Sequence, residues 1–124
     1  MKTLIKSALL LLLAMSLTAC VGVRVEYAMA KHAQVAQSIN LGDSKDAVLA
    51  ILQPTQTVLA SSTTKSPGKY MKDGVLVEIY YMRTGRQPDG LTTDDEFTPY
   101  IFHDGRLVGI GWELLGGAKS QGQR

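Results

Sequence analysis

Cysteine is almost missing from this chain of 124 residues: there is one, Cys20. A single thiol cannot close an intrachain disulfide, so any domain built from this sequence has to be held by packing. Long apolar runs are scarce too. The one near the start, Leu9 to Leu13 with Ala8 and Ala14, is too short to span a bilayer, which takes about 20 apolar residues. There is also no marked excess of charge of one sign. The formal net charge of +2 resides in the first 19 residues, because removing them takes away Lys2 and Lys6 and no acid. The balanced remainder has neither the basic stripe of a nucleic-acid binder nor a polybasic patch for anionic lipid, so no nucleic-acid partner is expected.

Signatures of chemistry are equally thin. His32 and His103 have no second histidine or cysteine at ligand spacing and read as solvated polar side chains. The serines of "ASSTTKSPG" lack a Gly-x-Ser-x-Gly context, and no glycine cluster has the order of a phosphate-cradling loop. In "TTDDE" the acids Asp94, Asp95 and Glu96 lack the alternating spacing and turn glycine of a calcium loop, and neighbours in an extended chain point opposite ways. A solvated loop, or hydrogen bonds from Thr93 or Asp94 to backbone amides, outweighs cation binding there. No catalytic constellation, metal site or cofactor is expected.

What the chain does have begins at its start. Lys2 and Lys6 precede the apolar run, and Leu17-Thr18-Ala19 leads directly into Cys20, which together make an export leader rather than a permanent anchor. These residues resemble the processing box of the bacterial lipoproteins: Leu, a small or branched residue, then Gly, Ala or Ser, then Cys. The resemblance implies cleavage after Ala19, a diacylglyceryl group on the Cys20 thiol, and a new amino terminus open to acylation by a fatty acid such as palmitate. One acyl chain holds a protein only marginally, at about 0.8 kcal/mol per buried methylene, so two or three on one residue make a durable tether. Val21 stands where, in such lipoproteins, an Asp would favour retention in the inner membrane. That points to the outer membrane, facing the periplasm, with the inner membrane as the alternative.

After the anchor, helical spacing of Tyr27, Ala30, Ala33 or Gln34 and Ile39 predicts a linker followed by a first helix within residues 20–38. In "LGDSKDAVLAILQPT", Asp43 is expected to cap a second helix with Asp46 in its acidic first turn, Val48, Ile51 and Leu52 on its apolar stripe, and Pro54 as its stop. "TQTVLAS" (55–61) reads as a strand and 61–69 as a turn-rich loop. "VLVEIYYMR" (75–83) alternates, with Val75, Val77, Ile79 and Tyr81 on the face better suited to a core. A long polar loop follows over 84–96. Then "FTPYIF" and "RLVGIGWEL" flank Asp104-Gly105, the strongest hairpin signal, because a two-residue type I′ turn needs positive φ at both positions. Along the last strand Val108, Ile110, Trp112 and Leu114 are expected to share one face.

These elements predict an α+β domain over 39–115: two N-terminal helices packed on a three- to four-stranded antiparallel sheet, with 1–19 as the leader and 116–124 as a disordered tail. The segment from "INLGDSKDAVLAILQP" to "FHDGRLVGIGWE" resembles the BamE (SmpA/OmlA) type of small outer-membrane lipoprotein, with Ile39, Gly42, Val48, Leu52 and Pro54 matching its opening pattern. The run "TTDDEFTPYIFHDGRLVGIGWE" is closer still to a family of small proteobacterial lipoproteins without assigned function. Such a resemblance implies a two-layer fold and a scaffold role in outer-membrane or envelope assembly, with an envelope protein as partner. Two other readings remain: a small-ligand or peptide-binding module using strand addition at a sheet edge, and, with least support, a hydrolytic enzyme. Tyr80, Met82, Tyr100 and Phe102 form the candidate partner face if both rows lie away from the helices; otherwise one of the rows belongs to the core.

Overall fold

The computed structural model describes residues 21–87 and 91–118. The box Leu17-Thr18-Ala19, the attachment residue Cys20 and the tail residues 119–124 lie outside the described residues. The fold is α+β, two helices followed by a four-stranded antiparallel sheet in the order β1-β2-β3-β4.

Helix α1 occupies 21–36 with no linker between Val21 and the helical residues that follow. Its inward face is made by Val25 and Ala28, three residues apart and buried, continued by the half-buried His32 and Val35. Tyr27, Ala30, Ala33 and Gln34, read from spacing as the apolar side, are exposed instead; of that set only Ile39, beyond the helix, is buried. Helix α2 spans Lys45–Leu52. Its cap is Ser44, whose hydroxyl accepts from the Ala47 N–H, and not Asp43, whose carboxylate accepts from the Asn40 N–H at 2.9 Å and fixes the turn before the helix. Pro54 falls inside a 3-10 turn, Gln53–Thr55, so the segment expected as a strand winds on in turns.

The strands are β1 (Gly68–Lys72), β2 (Val75–Arg83), β3 (Phe97–His103) and β4 (Arg106–Ile110). Two hairpins share one device. Asp73 and Gly74 have φ of 52° and 79°, Asp104 and Gly105 have 47° and 78°, and the flanking pairs Lys72 with Val75 and His103 with Arg106 close both turns. Positive φ at both positions gives the turn a twist that matches the strands.

The main core lies between the helices and the sheet, where Ile39, Val48, Leu49 and Leu52 meet Met82, Tyr100, Phe102 and Leu107, with Tyr80 against them. The candidate partner face is therefore buried under the helices: Tyr100 is 1% and Phe102 0% exposed. Val77, Ile79 and Ile101, on the opposite face, form a second cluster with Tyr81, Val108 and Leu115. A bulge between Ile101 and Phe102 breaks the alternation of β4, so Leu107 and Ile110 pair with helix-side residues and Val108 joins the other face. The strand stops at Ile110; Gly111 turns at φ 98° and the chain folds back as a 3-10 turn, Glu113–Leu115. Trp112 stacks on Tyr81 with ring centroids 5.7 Å apart and donates from Nε1 to the Phe97 carbonyl at 2.8 Å. An added Cβ on Gly109 would lie 2.2 Å from Leu114 Cδ1, so the bare glycine is what lets this turn close on the sheet.

Candidate docking surface

The two sheet edges differ. Along β4, the Gly42 N–H donates to the Leu107 carbonyl and the Leu107 N–H to the Asp43 carbonyl, while Ser44 bridges Arg106, so the loop before α2 seals that edge. Among the described residues the outer edge of β1 has no such partner strand in the sheet order. Because Lys72 and Val75 close a two-residue turn they exchange both backbone bonds, and alternation then turns the N–H and C=O of Lys69 and Met71 outward. Tyr70 and Met71 are 44% and 64% exposed, and Lys69 and Lys72 flank them, the kind of charges that keep an open edge from self-pairing.

Beside this edge, on the face away from the helices, runs a groove of about 330 Å³. Tyr70, Val75, Val77, Ile101, Leu114 and Leu115 supply apolar walls, and Lys72, Asp73 and His103 stand at its hairpin end. A second cavity of about 240 Å³ lies between the turns after α2 and the loop before β1, lined by Gln53, Gln56, Lys65, Tyr80 and Tyr81.

Several groups with acid–base capability are engaged elsewhere in the fold. Arg83 reaches Glu96 at 2.7 Å and also donates to the carbonyls of Gly85 and Thr63. Glu96 in turn accepts from the Gln87 and Thr93 N–H groups at 2.9 and 2.8 Å, completing a capping box with the Thr93 hydroxyl. The acids of "TTDDE" thus diverge: Asp94 pairs with Lys65 at 3.0 Å, Asp95 accepts from Thr93, and Glu96 is buried on Arg83. Among the described residues no three His, Cys, Asp or Glu side chains are grouped to hold a metal ion. Lys45 and Glu78 pair at 3.1 Å under α2, and the hydrogen bond to Glu78 raises the Lys45 pKa.

His32 is not a solvated side chain. Its Nε2 lies 2.7 Å from the Tyr100 hydroxyl, with the rings edge to face. Burial lowers the pKa of His32 and pushes that of Tyr100 up to about 12, so both are held neutral. His103 is exposed at the turn beside the groove.

A family model covers the stretch from Val25 in the first helix to Leu115 in the last turn. The chain belongs to the DUF3192 family. Its description is "Protein of unknown function (DUF3192)", matched over residues 25–115. No curated protein and no solved structure matches the chain. The DUF3192 match takes in both edges, the groove and the Arg83–Glu96 pair. Sequence reading missed β1 altogether, although Asp73-Gly74 carries the same hairpin signal as Asp104-Gly105; "GKYMK" has lysines where an apolar strand would alternate.

Among the described residues no helix is long and apolar enough to cross a membrane.

Proposed function

We propose that this protein is a lipid-anchored, periplasm-facing binding lipoprotein, held through Cys20 at the outer membrane, where it serves as a scaffold accessory to envelope assembly or maintenance. The leader and its box support the anchor, and the BamE-type segment order supports the setting. The observation that carries the binding role is the open edge of β1 beside an apolar groove, while the other edge is sealed. An extended segment of an envelope partner adds to β1, its backbone pairing with Lys69 and Met71 and alternate side chains entering the groove. Tethering both partners to one surface raises effective concentration, so a modest interface suffices.

On this reading the anchor and the groove lie at different ends of the domain. Arg86, three residues past β2, contacts Glu26 near the start of α1, whereas the groove lies at the hairpin end around Val77 and His103. From Val77 to Arg83 the strand covers about 20 Å, at about 3.3 Å per residue, so the docking groove faces away from the anchored end. The engagement of Glu96, Glu78 and His32 in internal pairs supports binding over turnover.

A photo-crosslinking residue in place of Tyr70, in native cells, is expected to give discrete adducts with an envelope protein. Met71→Pro removes an outward N–H that β2 does not use, so it should abolish those adducts while leaving the fold intact. Equal adducts from Asp46, on the exposed side of α2, or adducts that survive Met71→Pro, would refute strand addition. A small molecule retained in the mass spectrum of the purified protein would instead favour the ligand-binding reading, for which the groove volume is adequate.

A further inference from the structure

The exposed side of α1 is uneven along its length. Its first two turns carry Val23 and Tyr27 at 62% and 50% exposure, whereas the later exposed positions are Ala30, Ala33 and Gln34. Val23 and Tyr27 are four residues apart and so share a face, away from the buried Val25 and Ala28. Arg24 and Lys31 border that face, and the Lys31 ammonium lies 5.5 Å from the Tyr27 ring centroid. The first turns are also braced: Arg86 contacts Glu26 at 3.4 Å and packs across Gly22, where a Cβ would lie 2.8 Å from the guanidinium.

We infer that the N-terminal two turns of α1 sit in the lipid headgroup layer, with Val23 and Tyr27 against the acyl boundary and Arg24 and Lys31 at phosphate level. This rests on the reading of Cys20 as lipidated. What selects a lipid surface over a protein as occupant is where the rest of the chain ends: the attachment residue immediately precedes Val21, and α1 is helical from Val21 onward. With no flexible spacer, acyl chains on Cys20 bring this face to the bilayer. A tyrosine with a basic neighbour is suited to the interface, having an apolar body and a polar tip beside a cation that reaches phosphate. The membrane is then part of the fold's orientation: α1 is seated at one end and the β1 edge is presented at the other.

The test uses the full-length protein purified from membranes, with Cys20 acylation verified by intact mass, in vesicles of phosphatidylethanolamine and phosphatidylglycerol. Because Cys20 is the only cysteine and its thiol is blocked by lipid, Val23→Cys, Tyr27→Cys and Met71→Cys each provide a unique site for a nitroxide. All three positions are exposed, so the substitutions leave the core untouched. Labels at 23 and 27 are expected to be relaxed more by oxygen than by a water-soluble nickel chelate, and the label at 71 the reverse. Acylated protein whose labels at 23 and 27 match the label at 71 overturns the membrane seating and leaves the anchor standing. Native protein without an acyl group overturns both, and the mass alone tells the two failures apart.

Discussion

The guanidinium of Arg83 meets the carboxylate of Glu96 at 2.7 Å where neither is open to water: the two side chains are 4% and 0% exposed. The pair joins three stretches of chain, because Arg83 also binds the Thr63 carbonyl before β1 and Glu96 holds the Gln87 and Thr93 amides of the loop before β3. Burying two charges is favourable only when their remaining hydrogen-bonding capacity is met. Here it is, and among the described residues no buried side-chain nitrogen or oxygen lacks a partner.

Glu96→Ala is therefore expected to cost about 3–5 kcal/mol, since it strands a buried guanidinium and two amides. Arg83→Met with Glu96→Ala should cost less than the sum of the single changes, because no uncompensated charge remains. Urea unfolding of the four proteins in the cycle measures both quantities.

His32 and Tyr100 set opposite pH limits. The folded pKa of His32 lies below its ordinary value of about 6.5, so the unfolded chain takes up the proton first and stability is lost as pH falls from about 6.5. Tyr100, raised from 10.0 to about 12, is ionised first in the unfolded chain, so stability is also lost as pH rises from 10.0 toward about 12. Urea midpoints across this range should fall at both ends, and His32→Phe should flatten the slope just below neutrality while leaving the alkaline one.

Phe102→Ala should lower stability by about 3–5 kcal/mol, as expected for truncating a buried aromatic ring. Met71→Lys, on the exposed edge, should stay within about 0.5 kcal/mol. Thermal unfolding of both variants distinguishes the helix-covered face from the open edge; equal losses would contradict the burial described here.

Trp112 is the only tryptophan, so its fluorescence reports the C-terminal turn. Gly109→Val is expected to push Leu114 out and shift Trp112 emission to longer wavelength, because the added side chain occupies the space that Leu114 fills. Unchanged emission would show that the turn closes without that glycine.

Several features were readable in the linear chain because they depend on neighbours in sequence. The Asp104-Gly105 turn, the acidic first turn of α2 with Asp46 and the alternation of Val75 to Arg83 are local matters of φ, dipole and pleat. Their order was enough to predict helices before an antiparallel sheet. Local composition misled over 55–61, where Thr and Val suggested a strand but Pro54 leads the chain on into 3-10 turns. It also hid β1, a strand that joins the sheet by pairing with β2.

Which face of an alternating strand meets the helices is not a property of the strand. Val77 and Ile79 on one side and Tyr80 and Met82 on the other are both apolar enough for a core, and the choice was made by α1 and α2 covering Tyr80, Met82, Tyr100 and Phe102. One extra residue at Val108 then shifted Leu107 and Ile110 together onto the helix side, which no period-two reading anticipates. The pairing of Arg83 with Glu96, thirteen positions apart, and of His32 with Tyr100, sixty-eight apart, likewise needed the strands in register. Turns and the alternation of β2 were set by the residues themselves; faces, edges and buried charge pairs were decided only when distant segments competed for the same apolar surface.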